Sequence, residues 1–315
     1  MSTNPGLPAV EPRTGLPRSV RVYEVAPRDG LQAEAAVIPT KVKVELILRL
    51  RAAGLRTIET TSFVSPRWIP QLADAREVTL ALEPGPGVSY PVLVPNEKGL
   101  ERALAAGARE IAVFASATET FARRNLNRDV DGVLRMFEPV VASATAHGIP
   151  VRGYVSMCFG DPWEGPVPVE DVVRVSLRLR EMGCGTISIG DTIGVGTPGQ
   201  VTRMVEALGG AGIPPSQVAM HFHDTYGQAL ANVYAALSTE IAEFDASAGG
   251  IGGCPYAGSA TGNLATEDLV WLLTGLGIDH GVDLDALVST SLWMAKHLGR
   301  PSPSRVVAAL AQREQ

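Results

Sequence analysis

The stretch "VAMHFHDTYGQA", Val218 to Ala229, decides how the rest of the chain is read. Val218, Ala219 and Met220 open it as a buried strand. Side chains two positions apart in a strand share a face. His221 and His223 therefore point together, with Phe222 opposite, and Asp224 follows at once. Two imidazoles converging at the end of a buried strand make a metal site, a proton-transfer site, or a pair of satisfied polar groups at a sheet end.

Seven further β-prone runs stand beside this one. They are "VRVYEV" from Val20, "TIETTSF" from Thr57, "YPVLVP" from Tyr90, "EIAVFAS" from Glu110, "VRGYVSM" from Val151, "TISIGDT" from Thr186 and "FDASAGG" from Phe244. Most gaps between them carry a helical pattern. In "KVKVELILRLRAAGL", Val44, Ile47, Leu48 and Leu50 are expected as the apolar side, and Gly54 stops the helix. "GLERALAAGA" and "DVVRVSLRLREMGCG" repeat the design. Alternating strand and helix imply an α/β protein with a parallel sheet. Eight such units point to a closed barrel, although an open doubly wound sheet has the same local pattern. Past Gly262, "NLATEDLVWLLTGLGI" and "DLDALVSTSLWMAKHLG" read as helices without strands. The expected organisation is a flexible tail over 1–19, a barrel over 20–262 and helices over 263–315 packed on the barrel within the same catalytic domain.

The bulk numbers agree with a large enzyme-like core. Of 315 residues, 45% are hydrophobic but only 5% aromatic, so aliphatic side chains must fill the interior. A formal charge of −6 argues against a general nucleic-acid surface. Cys158, Cys184 and Cys254 are far apart and odd in number, which is no disulfide framework and fits a reducing, cytoplasmic setting. No apolar run reaches the ~18 residues of a membrane span. The proline-rich first 20 residues contain no apolar segment and are not expected to be a signal peptide.

In barrels of this type the site lies at the C-terminal ends of the strands, and polar residues gather at those ends here. Strand one ends in "APRDGLQ", with Arg28 and Asp29. Strand two carries Glu59, strand six ends in Asp191, and strand seven ends in His221 and His223. The last strand runs into "GGIGGCPYAGSATGN". Two neutral imidazoles and a carboxylate, Asp29, His221 and His223, form a ligand set for a divalent ion, with Asn263 as a candidate amide ligand. Such mixed N/O ligation suits Mg²⁺ or Mn²⁺ better than structural zinc. On the residues alone Asn263 reads first as a helix cap before "LATEDL", and Asp29 equally as a turn residue before Gly30. Arg28 is suited to hold a carboxylate or a developing oxyanion, or to pair with Glu59 or Asp29. Glu59 is a base or an orienter of Arg28. Asp191 is placed to support a ligand histidine or a water. Glu24, inside strand one, reads as a buried structural partner. Cys254, in a glycine-rich loop, offers a thiol for proton transfer or is an inert small residue. Arg123 and Arg124 are candidates for phosphate contacts or simply an exposed helix start.

"GVGTPG", Gly194 to Gly199, matches a dinucleotide-binding pattern. Five strands already precede it, Thr197–Pro198 is a good helix start, and histidines stand where a ribose-binding acid is needed. The match is set aside.

The motifs "EVAPRDGLQ", "IETTSFVSPRWIPQ", "GDTIGVGTPG", "HFHDTYGQALAN" and "GGIGGCPYAGSATGNLATEDL" together resemble the 3-hydroxy-3-methylglutaryl-CoA lyase family, from about Val20 to Lys296. Pro27, Leu31 and "GGCPYA" side with the lyases over related synthases and aldolases. The resemblance implies a (β/α)8 TIM barrel with a C-terminal helical extension. It implies a divalent metal, Mg²⁺ or Mn²⁺, bound at the positions of Asp29, His221, His223 and Asn263. It implies catalytic roles at Arg28, Asp29, Glu59, Asp191, His221 and Cys254. The implied partner is an acyl-CoA substrate, cleaved to acetyl-CoA and acetoacetate in leucine degradation and ketone-body formation, with no nucleic acid, no membrane and a homodimeric assembly. Two features depart from the mitochondrial-type pattern: Asp161 stands where that pattern has a cysteine, and the tail "VVAALAQREQ" lacks a terminal cysteine. The alternatives are a related lyase acting on another acyl-CoA or a hydroxy-oxo acid, and a non-catalytic metal- or ligand-binding barrel.

Overall fold

A computed structural model describes residues 7–252 and 262–311. Each of the eight expected runs forms strand. The strands are β1 (Arg21–Glu24), β2 (Thr57–Ile58), β3 (Thr61–Ser62), β4 (Val92–Leu93), β5 (Ile111–Ser116), β6 (Val151–Ser156), β7 (Thr186–Asp191), β8 (Val218–Phe222) and β9 (Glu243–Ala246). β2 and β3 are two halves of one run, broken at Glu59–Thr60. The hydrogen-bonded order is β2-β1-β9-β8-β7-β6-β5-β4-β3, and every pairing is parallel. Because the two end strands are consecutive pieces of chain, the sheet closes on itself as an eight-stranded barrel. The break does not interrupt the ladders: Glu59 donates to the Glu24 carbonyl at 2.8 Å and Thr60 to the Pro91 carbonyl at 3.0 Å.

Helices cover the outside. α1 (Thr40–Ala52) shows how. Its buried residues are Val42, Lys43, Leu46, Ile47 and Leu50. At 3.6 residues per turn these fall on one arc, whereas Leu48 lies on the opposite side and is exposed. The expected apolar face, which included Val44 and Leu48, is thus rotated. Lys43 sits inside the buried arc because its ammonium reaches Asp74 at 2.7 Å. The ring continues through α2 (Ala75–Leu80), α3 (Glu97–Ala105), α4 (Glu119–Leu126), α5 (Val130–Ala146), α6 (Val169–Met182), α7 (Pro198–Gly210) and α8 (Ala229–Leu237). α7 begins with the predicted capping pair: the Gln200 side chain accepts from the Thr197 amide, and Pro198 opens the helix.

After β9 come α9 (Thr266–Gly275), α10 (Leu284–Leu298) and α11 (Arg305–Ala311). The first two were legible in the sequence; α11 was not. α10 lies against α1, where Arg49 stacks 4.7 Å over the Trp293 ring. The stretch expected as a loose tail is tied to this end of the molecule by Glu11, whose amide donates to the Gly275 carbonyl at 2.8 Å. Among the described residues no helix is long and apolar enough to cross a membrane.

Two apolar clusters divide the fold. The large one lies between sheet and helices. The small one, Leu93, Ala112 and Tyr154 with Phe114 against it, lies where successive strands turn alternate side chains to the barrel interior. The rest of that interior is polar, and the site grows out of it.

Candidate active site at the strand ends

β1 ends in one wide helical turn, Ala26–Gly30, closed by the Gly30 amide on the Val25 carbonyl at 3.1 Å. Turns of this kind recur at functional sites. This one lifts Arg28 and Asp29 onto the mouth. Gly30 is required here: a Cβ would sit 2.7 Å from Ile251 Cγ1 and 2.9 Å from Ser247 Oγ. Glu24 anchors the turn from below, as read from the sequence. Its carboxylate accepts from the Ala26 and Ala248 amides and from Thr266 Oγ1 at 2.7 to 2.9 Å.

His221 closes β8 and His223 follows it. Beyond β9 the chain returns as a short extended piece: Asp224 donates to the Gly262 carbonyl, Leu264 to Phe222 and Ser247 to Leu264. This pairing sets Asn263 directly beside His223. Asn263 is not the helix cap, since α9 is capped by Ala265. Potential ligand atoms of Asp29, His221 and His223 all lie within 4.8 Å of one another. Asn263 Nδ2 donates to Asp29 Oδ2 at 2.9 Å and to the Ile251 carbonyl at 3.3 Å. That leaves Asn263 Oδ1 buried and without a partner among the described residues, and His223 Nδ1 likewise. A buried acceptor without a donor is costly. Two of them beside a carboxylate and a second imidazole fit a hard divalent cation.

The electrostatics of His223 and Asp29 agree with that fit; His221 is shifted the other way, burial acting to lower it and the Asp245 hydrogen bond and charge raising it. Burial and the neighbouring His221 push His223 down to about 3, against Asp29, so its ring is neutral at pH 7 as a ligand must be. Burial acts to raise Asp29, but Arg28 and both histidines overcome it and hold the carboxyl well below the usual range. Arg28 is buried, its Nε 2.6 Å from Glu59 Oε2 and its Nη1 2.6 Å from Asp29 Oδ1. Both expected ion pairs therefore exist together. Glu59 is the fully buried orienter, raised by burial against the pull of Arg28.

Asp191 is the last residue of β7. Its oxygens accept from the amides of Val195 and Gly196, so it shapes the loop after β7, and among the described residues no histidine hydrogen-bonds to it. Burial raises it to about 6. Cys254 lies outside the described residues. Cys158 and Cys184 are buried and free, as expected. Arg123 pairs with Glu119, and Arg124 stacks 4.3 Å over the Trp163 ring, both on α4.

Sequence reasoning missed the layer beneath the mouth. Asp245 accepts from Arg152, from Ser188 Oγ at 3.0 Å and from His221 Nδ1 at 3.2 Å. Arg152 also pairs with Glu243 and stacks 4.1 Å over the Tyr23 ring. The Tyr154 ring lies between Arg152 and Arg28. The missed signal was period-two polarity: Arg152, Tyr154 and Ser156 alternate along β6, as Glu243 and Asp245 do along β9.

A closed parallel barrel whose ionisable groups converge at the C-terminal strand ends defines the class, a (β/α)8 barrel enzyme. Within that class the chain belongs to the HMGL-like family, whose model matches residues 19–293. It is 51% identical over 299 residues to hydroxymethylglutaryl-CoA lyase, mitochondrial, of Arabidopsis thaliana, covering 95% of this chain and 64% of that protein. It is 49% identical over 296 residues to 3-hydroxy-3-methylglutaryl-CoA lyase, cytoplasmic, of Rattus norvegicus, covering 94% and 86%. The crystal structure of hydroxymethylglutaryl-CoA lyase from Pseudomonas aeruginosa superposes with a TM-score of 0.93 at 48% identity, covering 95% of this chain and 99% of that one.

Proposed function

We propose that this barrel is a carbon–carbon lyase cleaving 3-hydroxy-3-methylglutaryl-CoA to acetyl-CoA and acetoacetate. The observation that carries the reading is the convergence of Asp29, His221 and His223 within 4.8 Å, beside Asn263 Oδ1, which has no partner among the described residues. The relatives that share the fold at about half identity bear the name of that lyase.

The substrate has a tertiary alcohol β to a thioester. Breaking the C–C bond requires loss of the hydroxyl proton and shelter for the thioester enolate that departs. Asp29, His221, His223 and Asn263 would hold the cation, Mg²⁺ or Mn²⁺. Bound there, it supplies Lewis acidity toward an alcohol oxygen and charge to fix a free carboxylate.

A base of the Asp29/His221 group takes the hydroxyl proton. Arg28 has two nitrogens locked by Glu59 and Asp29. Its remaining Nη2 edge donates to the thioester oxygen as negative charge develops, and the fixed guanidinium needs no reorganisation at that moment. Cys254 returns a proton to the enolate carbon, a role that rests on its motif. Asp191 keeps the neighbouring loop in place. We assign the protein to the cytoplasm on its free, buried cysteines, and infer a homodimer from the family resemblance.

The test is turnover of 3-hydroxy-3-methylglutaryl-CoA with added Mg²⁺, run beside other 3-hydroxyacyl thioesters and after chelation. Acetoacetate formation that stops with chelator and returns with metal is expected. Full activity in metal-free protein, or none on this thioester but turnover of another, defeats the assignment.

A further inference from the structure

Arg21, Glu243, Arg152, Asp245 and His221 form a chain of charged side chains through the barrel. It begins at the exposed Arg21, 3.1 Å from Glu243 at the start of β9. Glu243 and Asp245 both hold the buried Arg152 guanidinium. Asp245 then reaches the mouth, where its Oδ2 meets His221 Nδ1. Register makes this contact obligatory: β8 and β9 pair His221 directly with Asp245, so the two side chains stand on the same face of the sheet.

We propose that Asp245 is a positioning residue that fixes His221 as the Nδ1–H tautomer, aiming Nε2 into the site. Arg152 on Oδ1 and Ser188 Oγ on Oδ2 hold the carboxylate still from β6 and β7. A carboxylate only accepts, so the His221 nitrogen facing it must carry hydrogen, and in the neutral ring the other nitrogen keeps its lone pair. Among the described residues His223 has no such support: its Nδ1 is buried without a partner there. The two histidines of the cluster thus differ. One is oriented by the barrel interior before anything binds, the other only by backbone and packing. Outer partners of this kind decide ring orientation and ligand basicity.

The proposal rests on the metal reading of the cluster only for its second consequence, cation affinity. The first consequence, the tautomer, exists in metal-free protein. The test uses ¹⁵N-histidine-labelled full-length protein, with His221 assigned by comparison with His221→Gln. In the wild type, recorded at a pH high enough for the His221 ring to be neutral, the Nδ1 signal is expected to be protonated and Nε2 unprotonated. Asp245→Asn turns an amide N–H toward Nδ1 and should reverse the assignment. In the same variant Mn²⁺ affinity, read by electron paramagnetic resonance, should fall about 10- to 100-fold. A wild-type spectrum with unprotonated Nδ1 overturns the proposal. So does a variant with unchanged tautomer and unchanged Mn²⁺ affinity. The wild-type spectrum decides the matter alone if the variant does not fold. Protonated Nδ1 in a wild type that binds no Mn²⁺ supports the positioning role and defeats the metal reading.

Discussion

Asn263 Nδ2 donates to Asp29 Oδ2 at 2.9 Å, joining two residues 234 positions apart in sequence. The bond spends the amide's donor side on the carboxylate and leaves its oxygen toward the cluster. Asn263→Ala removes both at once. Mn²⁺ affinity is expected to drop roughly 10-fold or more, measured by titration with paramagnetic resonance detection. Unaltered affinity excludes the amide as a ligand.

Arg28 separates catalysis from stability. Arg28→Gln leaves Glu59 buried without its cation, a change that costs about 3–5 kcal/mol when such a pair is broken. Turnover should fall about 10²- to 10³-fold, as when an oxyanion donor is lost. Adding Glu59→Gln removes the stranded charge, so the double variant should recover much of its Tm and none of its kcat. Recovery of both would make Arg28 structural only.

Two buried carboxylates make stability depend on pH. Burial raises Glu24 to about 7 and Glu267 to about 8, from 4.5. The folded state then binds more protons than the unfolded state above 4.5. Stability therefore falls as pH rises, through about 7 for Glu24 and about 8 for Glu267. Thermal unfolding should show Tm dropping from pH 5 to pH 8. Glu267→Gln should flatten that slope, while its amide oxygen can still accept from the Gly249 amide, which reaches both Glu267 oxygens. A slope unchanged in the variant refutes the assignment to Glu267.

Gly30→Ala forces a methyl into Ile251 and Ser247. Overpacking of this kind costs about 1–3 kcal/mol. Because Gly30 adjoins Asp29, loss of Mn²⁺ affinity should accompany the lower Tm. A variant destabilised but binding metal normally would show that the turn and the cluster are uncoupled.

Cys254→Ser should slow product formation while leaving KM near its wild-type value, as expected for a proton donor acting after binding. An unchanged kcat reduces the thiol to packing.

The architecture was legible because strands and helices leave different periods. Eight runs of six or seven β-prone residues, spaced by helical patterns, closed into a barrel as expected. Arg28, Asp29, His221 and His223 met at the mouth because each ends a strand, and parallel strands place all such ends together. Other features were not legible. The face of α1 turned because Lys43 found Asp74, a partner from another element. On its local pattern Asn263 read as a cap, and only the family resemblance pointed to the cluster; the pairing of Leu264 with Phe222 is what draws it to His223. Asp245 looked like one acid in a short strand until register set it against His221.

The chain by itself determined which chemical groups gather at the mouth, since local period and strand polarity are written residue by residue. Only the tertiary structure decided how those groups are used: which acid holds Arg28, which amide oxygen is left unpaired, and which nitrogen of His221 is free. Those outcomes follow from lateral register between strands distant in sequence, and register is set by closure of the whole barrel rather than by any one segment.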